Sequence, residues 1–453
     1  MKNKFLFCLI LIAISLVLYS PTVTIGFLSD DWGYVYLADR TNITESVSFL
    51  WSPDKWGNGL GNYRPMQSIM TVLMWKLNPA LIHLFTIVLH GIVSSLVGYL
   101  SFVLFQKKSI SVISSLVFLF FPLNTEVVVW LASWNTLLAT IPLLLALIIY
   151  TKKQPEIVRE YALVGFFFSL SLLAKEHALV FPFFIIGIDL LKKRRISYKN
   201  ILVYISIVAL YFFARVSVLG KMGGYNGSDM NSRHFEISVQ SILLYMKLPL
   251  AYVYNFFNSG VVPKGMVIFA RVTSFLLVAG VLMKSFYKRK DYLDNFKKLI
   301  ILGLLIYVGH AIGWNLFVPL DVHNTHARLL YVATVWFAIL LGVMYEWVRA
   351  TPIRYIFFIY IILLPILTIY QYSPWVVAGK KSQKIIDQVK IEASGNPENF
   401  VFENLPDQHK GAFVFRNGIE FVVALETNTI KNTISVTKTM QPGIDKSIVI
   451  MSE

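Results

Sequence analysis

The chain has 453 residues, of which 56% are hydrophobic and only 15% charged, with a mean hydropathy of +0.63. A soluble domain of this length cannot hide so much apolar surface, so the composition indicates a polytopic membrane protein. The net charge of +16 (41 basic against 25 acidic residues) points to membrane topology and not to nucleic acid, because the basic residues sit in short loops between apolar runs.

Met1 to Lys4 precedes an apolar run, Phe5 to Phe27. This opening is similar to a signal peptide, but the run is long and shows no small-x-small cleavage site before Pro21, so an uncleaved first helix is expected. About 20 apolar residues suffice to cross a bilayer. The single cysteine, Cys8, lies inside this run, which excludes an intrachain disulfide and a cysteine-based metal site. At its exit stands Gly26-Phe-Leu-Ser-Asp-Asp-Trp-Gly33, with Asp30 and Asp31 side by side. Acids at a membrane edge beside aromatic residues are candidates for general-base work or cation binding; a solvated helix N-cap is the plain alternative.

After an outer loop over 28–65 with juxtamembrane helices, membrane helices are expected at 79–105, 109–122, 134–150, 157–173, 177–191, 199–219, 266–283, 299–316, 329–347 and 353–372. With the first run this makes about eleven. The short 109–122 segment is expected to continue as the helix carrying Asn124 to Trp134, and the tyrosine-rich 237–258 segment to lie at the interface. With the N-terminus inside, Lys107-Lys108, Lys152-Lys153, Lys192 to Arg195, Lys284 to Lys298, and Arg349 with Arg354 all fall on the inner side, as the positive-inside pattern requires. The glycine-rich loop Gly220 to Asp229 lacks the Walker spacing and reads as a mobile loop.

Residues 1–372 thus form a transmembrane unit and 373–453 a small extracytoplasmic mixed α/β domain. In the latter, 376–392 reads as an amphipathic helix with Ile385, Ile386 and Val389 on one face. Phe400–Phe402, Gly411–Arg416, Glu420–Leu425 and Thr433–Thr437 read as strands, with Asn417-Gly418 as a hairpin turn.

The outer side collects Asp30, Asp31, Arg64, Glu126, Lys175, Glu176, His177, Asp321, His323, His326 and Arg328. An ionised side chain at membrane depth costs on the order of 2.5–3.5 kcal/mol, so such residues usually face a partner or a cavity. Arg64 precedes Pro65, which can open a helix, and would stand at that helix's N-terminus, where a phosphate is welcome. Lys175-Glu176 breaks an apolar flow without any turn residue; a self-paired solvated turn is the alternative. Glu126 suits the first turn of a helix. His323 and His326 near Asp321 are a weak metal pair with no third ligand specified. Arg328 and Tyr331 share a helical face. His310 reads as a satisfied core histidine.

Several of these stretches occur in a familiar order. Asp30-Asp31 after the first helix, Tyr63-Arg64-Pro65-Met66, His83-Leu-Phe-Thr-Ile-Val-Leu-His90, Pro122-Leu-Asn-Thr-Glu126, Ala174-Lys175-Glu176 and Arg328-Leu-Leu-Tyr331 resemble motifs of the GT-C superfamily of membrane glycosyltransferases. The resemblance is to the protein O-mannosyltransferases that carry tetratricopeptide repeats, with Thr86 where they have asparagine. It covers most of residues 1–348. The repeat array is absent and the acceptor cannot be carried over.

The resemblance implies a hexosyltransferase of the cell envelope in a bacterial inner membrane, with its active site on the extracytoplasmic face. It would move a sugar from a polyprenyl-phosphate donor to an unknown acceptor hydroxyl of a protein, lipid or glycan by inverting displacement. Asp30 or Asp31 would be the base, with Asp30 favoured. Arg64, Lys175 and Arg328 would bind the donor phosphate; Tyr63, Glu126, Glu176, His177 and Tyr331 would position substrate. No essential metal or other cofactor is expected. A transporter, flippase or polymerase of lipid-linked sugars is the alternative, although a transporter should show inverted repeats or midplane charges.

Overall fold

The computed structural model describes residues 4–52, 63–220, 252, 260–287, 292–310, 323, 325–395, 399–429, 435–439 and 448–450. The interfacial segment at 237–258 (Tyr252 apart), the loop beyond Gly220, and Asp321 lie outside the described residues.

A helix stands at each expected apolar segment. The first rod is α1 (Lys4–Tyr19) with a 3-10 turn to Thr24. The first loop contributes α2 (Asp31–Arg40) and α3 (Ile43–Val47), and Pro65 opens α4 (Pro65–Met74). There follow α5 (Pro79–Phe105), α6 (Lys108–Phe120), α7 (Thr125–Val129), α8 (Asn135–Lys152), α9 (Val158–Ala174), α10 (Phe181–Leu191), α11 (Tyr198–Leu219), α12 (Lys264–Tyr287), α13 (Tyr292–His310), α14 (Tyr331–Val348) and α15 (Ile353–Ala393). Among the described residues seven helices are long and apolar enough to span a bilayer, or eight if a bent pair is one span. This marks a multi-pass membrane protein. The expected eleven spans include α9 and α10, which have 17 and 11 residues and fall short of that length.

The bent pair corrects one expectation. The helix starting at Lys108 does not run on to Trp134; it stops at Phe120 and resumes as α7 at an angle of 54°. Pro122 disfavours helix at Phe121, which is extended, and removes a donor from the ladder.

Bundle packing runs α1 on α5, α5 on α6 and α8, α6 on α14, and α14 on α13. Three of the basic residues expected on the inner side, Lys4, Lys152 and Arg194, lie close together. Lys4 donates to the Tyr99 hydroxyl at 2.8 Å and Lys152 stands 5.2 Å from the same ring. Arg194 donates to the carbonyl of Thr151 at 2.7 Å, satisfying the C-terminus of α8.

Two corrections concern the C-terminal segment. α15 does not end near 372: it runs unbroken to Ala393 with Pro365 and Pro374 inside. Packed neighbours let a membrane helix tolerate proline. Ile385, Ile386 and Val389 are buried along its far end, as the amphipathic pattern predicts. Residues 420–425 are not a strand but belong to α16 (Ile419–Glu426), and Asn417-Gly418 is its N-terminal cap region, not a hairpin turn. The strands are β1 (Asn399–Glu403), β2 (Gln408–His409), β3 (Ala412–Phe413), β4 (Ser435–Thr439) and β5 (Ile448–Ile450). The sheet order is β4-β1-β5, with β1 parallel to β4 (Asn399 opposite Ser435) and antiparallel to β5; β2 and β3 form a separate antiparallel pair.

This segment does not hang free. Its Phe400, Phe413, Val414 and Val422 share one apolar core with Tyr19, Leu28, Trp130 and Trp375. Gly379 on α15 lets the chain at Ile25 lie directly on the helix: a Cβ there would stand 2.4 Å from the Ile25 carbonyl oxygen. Gly379→Ala should therefore destabilise the protein by about 1–3 kcal/mol, the usual range for overpacking. A lowered unfolding temperature in detergent would report it. Gly395→Ala, where a Cβ meets only the Glu392 carbonyl at 3.4 Å, should leave that temperature in place.

Candidate active site

The two adjacent acids play different parts. Asp31 is wholly buried. Its Oδ2 accepts from the Leu28 N–H at 2.8 Å and its Oδ1 from the Ala132 N–H at 2.6 Å. Burial pushes its proton affinity up, against those two N–H groups, which favour the ionised form. Asp30 is only half-buried. Its Oδ1 accepts from Asn417 Nδ2 at 2.7 Å, and its Oδ2 accepts from no described residue. Asp30 occupies the N-cap position of α2 without a side-chain cap bond. Neither acid therefore serves as an ordinary helix cap.

The Lys175-Glu176 corner is not a solvated turn. Glu176 holds two arginines. Arg64 approaches its Oε2 through both Nε and Nη2 at 2.8 Å, and Arg215 reaches its Oε1 at 3.0 Å. Burial raises the Glu176 carboxyl, but the two guanidiniums outweigh it and hold it at about 2. Lys175, also buried, donates to the Thr136 hydroxyl at 2.6 Å. Burial, reinforced by Arg64 and Arg328, pushes its ammonium well below the usual lysine range; Glu176 and Glu126 oppose this. The same corner carries His177, 4% exposed, with neither ring nitrogen hydrogen-bonded. Burial and then the Lys175 and Arg64 charges keep it neutral.

Glu126 opens α7 and pairs with Arg328, accepting from both its backbone N–H (3.0 Å) and its guanidinium. The Arg328 guanidinium lies 4.9 Å from the Trp130 ring, a cation–π contact. Trp130 in turn donates to the Leu28 carbonyl at 3.3 Å, which ties this ion pair to the Asp30–Asp31 turn.

Arg64, Glu126, Lys175, Glu176, His177 and Arg328 thus gather in one region. Tyr63 and Tyr331 do not join it through their hydroxyls. The Tyr63 hydroxyl donates to the Leu50 carbonyl at 2.7 Å. Tyr331 is wholly buried with its hydroxyl 2.8 Å from His90 Nδ1. The His83–His90 stretch is likewise an internal fastener: His83 meets the Gly26 carbonyl, His90 the Leu119 carbonyl, and Thr86 donates to Val128 O at 3.0 Å. His326 faces Arg416 at 3.4 Å. Among the described residues no three His, Cys, Asp or Glu side chains gather as metal ligands.

Two residues of the site were not expected. Arg215 lies within α11, where an arginine in an apolar helix is itself a signal. Asn417 has no local signal at all. A polar chain also runs beneath the site: Lys175 to Thr136, Thr136 to Asn135 at 3.3 Å, Asn135 to Gln67 at 2.9 Å, and Gln67 to the Tyr34 hydroxyl on α2.

No family model matches the chain. The human Protein O-mannosyl-transferase TMTC3 is 29% identical over 174 residues, 36% of this chain and 19% of that protein. The resemblance to O-mannosyltransferases stands over that stretch. The chain therefore matches about a fifth of the length of this curated relative. The backbone is similar to an oligosaccharyltransferase of Archaeoglobus fulgidus solved with zinc and sulfate, at a TM-score of 0.49 and 14% identity, covering 94% of this chain and 62% of that one. It is also similar to AglB from the same organism, solved with an inhibitory peptide and a dolichol-phosphate, at 0.45 and 12%, covering 97% and 65%. Likeness at this level assigns no role to any residue here.

The Glu176 clamp makes a prediction in pH. A carboxyl held at about 2 against an ordinary 4.5 contributes stability that is complete above the ordinary value and is lost as pH falls through the lower one. Thermal unfolding in detergent should show a decline below about pH 4.5 that Glu176→Gln removes. At neutral pH the variant should lose about 3–5 kcal/mol, because two guanidiniums are left without their carboxylate. Unchanged neutral stability would count against the clamp.

Proposed function

We propose that the chain is a membrane glycosyltransferase that moves a sugar from a polyprenyl-phosphate donor to an acceptor hydroxyl on the extracytoplasmic face. The observation that carries this reading is the charge arrangement around Lys175 and Glu176. Arg64, Lys175, Arg215 and Arg328 stand against two carboxylates, Glu126 and Glu176. Basic groups gathered at a buried corner on the outer side suit an anionic substrate. A lipid phosphate supplies that anion, and its arrival would also restore the suppressed proton affinity of Lys175.

The chemistry follows from where charge develops. As the acceptor oxygen attacks the anomeric carbon, the bond from that carbon to the phosphate oxygen breaks and its electron pair goes to the phosphate. Guanidinium and ammonium groups stabilise that growing charge better than they stabilise the ground-state diester. The acceptor proton passes to a carboxylate. Asp30 is assigned that part because its Oδ2 is open; Asp31, with both oxygens held by backbone, fixes the turn on which Asp30 sits. Glu176 and Glu126 orient the cations, and His177 offers a hydrogen bond to the sugar or phosphate. Attack opposite the departing phosphate inverts the anomeric centre. No residue role in this scheme calls for a metal.

The purified protein, incubated with a panel of polyprenyl-phosphate sugars with and without chelator, should release lipid phosphate. Asp30→Asn and Arg64→Ala should each lower transfer by about 100-fold or more, the scale of losing one group that acts in the transition state. Both should still insert and accumulate. Retained transfer in both would sink the assignment.

The reading also includes eleven crossings with the N-terminus inside. With Cys8→Ser as background, a cysteine introduced at Asp39 should react with an impermeant maleimide on intact cells, and one at Lys153 only after lysis. The reverse pattern would invert the topology.

A further inference from the structure

The C-terminal segment meets the first outer loop at the half-buried Asp30. Asn417 Nδ2 donates to Asp30 Oδ1 at 2.7 Å. A carboxylate only accepts, so the amide must present its nitrogen there. Backbone contacts fix the meeting of these two side chains. The Asn417 N–H donates to Ser29 Oγ at 3.2 Å, and the Ser29 N–H donates to the Val414 carbonyl at 2.9 Å. Gly418 has φ +97°, and a Cβ on it would stand 2.2 Å from the Ser29 carbonyl oxygen. The Val414 N–H donates to Asp407 O and the Phe415 N–H to Pro406 O, which brace the loop from behind. Further along, Arg40 of α2 reaches the Asn428 side chain at 3.3 Å and the Thr429 carbonyl at 3.2 Å. The Tyr36 ring lies 5.4 Å from Phe421. Helix α2, which begins at Asp31, is therefore held along its length by the same segment that supplies Asn417.

We propose that Asn417 is the positioning residue of the Asp30 carboxylate: its amide occupies Oδ1, fixes the rotamer, and leaves Oδ2 facing the acceptor proton. The proposal rests on the reading of Asp30 as base. It makes the C-terminal segment part of the reaction centre. The donor is a neutral amide, so it orients the carboxylate without bringing a positive charge to it. Arg416, the neighbouring cation, is turned instead toward His326 at 3.4 Å and the Phe413 ring at 5.5 Å. Asp31, the nearest other acid, has both oxygens on backbone N–H groups, and its influence on Asp30 is the same in every variant below.

The test uses the full-length protein in nanodiscs with two substitutions, Asn417→Ala and Asn417→Asp. The first readout is lipid-phosphate release from a polyprenyl-phosphate sugar. Asn417→Ala should lower kcat by about 10- to 100-fold, the scale of a misoriented reacting group, with KM for the donor within about twofold because the cations are untouched. Asn417→Asp places a like charge on Asp30, and the acid limb of the pH–rate profile should move up by about one unit or more. If Asn417 only supported the fold, the variants would unfold at lower temperature while kcat per folded molecule and the pH limb stayed in place. That result overturns the proposal.

The second readout needs no turnover. Carbodiimide modification of Asp30, followed by peptide mass spectrometry across pH, tracks the protonated carboxyl. Its midpoint should rise in Asn417→Asp, and an unmoved midpoint overturns the proposal. If no donor in the panel is turned over, the glycosyl-transfer reading falls. The labelling midpoint then decides the Asn417–Asp30 coupling alone, a rise supporting it and a fixed value overturning it.

Discussion

Asp31 joins parts of the chain that are a hundred residues apart. One oxygen takes the Leu28 N–H at the exit of α1, and the other takes the Ala132 N–H in the turn before α8. A wholly buried carboxylate is expensive unless both oxygens are hydrogen-bonded, so the fold around it must supply both donors. Meeting that demand fixes the turn on which Asp30 sits. It also places Trp130, two residues before Ala132, where its indole reaches Leu28 O and its face meets Arg328. From there the ion pair of Arg328 with Glu126 is set, because Glu126 lies on the same short helix as Val129, next to Trp130. One buried acid thus organises the open acid beside it and a cation across from it.

The charges at the Lys175–Glu176 corner raise a different question. Buried ion pairs contribute little net stability, since the desolvation of each partner offsets most of the attraction. An apolar replacement of similar volume would serve folding as well. Yet Glu176 holds two arginines, and the buried Lys175 donates to the Thr136 hydroxyl while feeling Arg64 and Arg328 on one hand and Glu176 and Glu126 on the other. Under the proposed function, such a costly corner makes physical sense as the seat of an anionic substrate. The same argument explains why His177 can lie buried with neither ring nitrogen in use.

Much of this was legible in the sequence because hydropathy and charge are local properties. Apolar runs gave the positions of the helices, and Asp30, Arg64, Glu126, Lys175 and Arg328 stood out as charges at the ends of those runs. What escaped was decided by packing. Residues 420–425 are a short apolar run that reads as a strand, but burial of Ile419, Val422 and Val423 against α15 and α2 makes them helical. The last span was expected to end near 372 with a separate helix after it, yet one helix runs through Pro374 to Ala393 because packed neighbours let it tolerate the proline. Tyr63 and Tyr331 looked like site residues because they adjoin Arg64 and the Arg328 turn. Tyr63, adjacent to Arg64, points another way, to Leu50; Tyr331 opens a new helix after the 3-10 turn that carries Arg328, and its hydroxyl faces His90. Arg215 was visible as an arginine in an apolar helix, but its tie to Glu176 across 39 residues of chain exists only in three dimensions. Asn417 could not be found at all, because an asparagine before a glycine reads first as a turn.

Under the proposed function, a base and an anion-binding cluster in one site would create a conflict. Every cation that stabilises the departing phosphate would also pair with the base and lower its affinity for the acceptor proton. The cations have partners of their own. Arg328 lies 4.9 Å from the Trp130 ring and 6.0 Å from the Phe413 ring, and the two rings pack 4.7 Å apart. Arg64 and Arg215 are held on Glu176 and Arg328 on Glu126, while among the described residues no cation reaches Asp30 within ion-pair distance. The contact that orients Asp30 is a neutral amide from a different part of the chain. Carboxylates hold the cations and an amide holds the Asp30 carboxylate, so under the proposed function the base and the phosphate-binding groups are oriented by different partners.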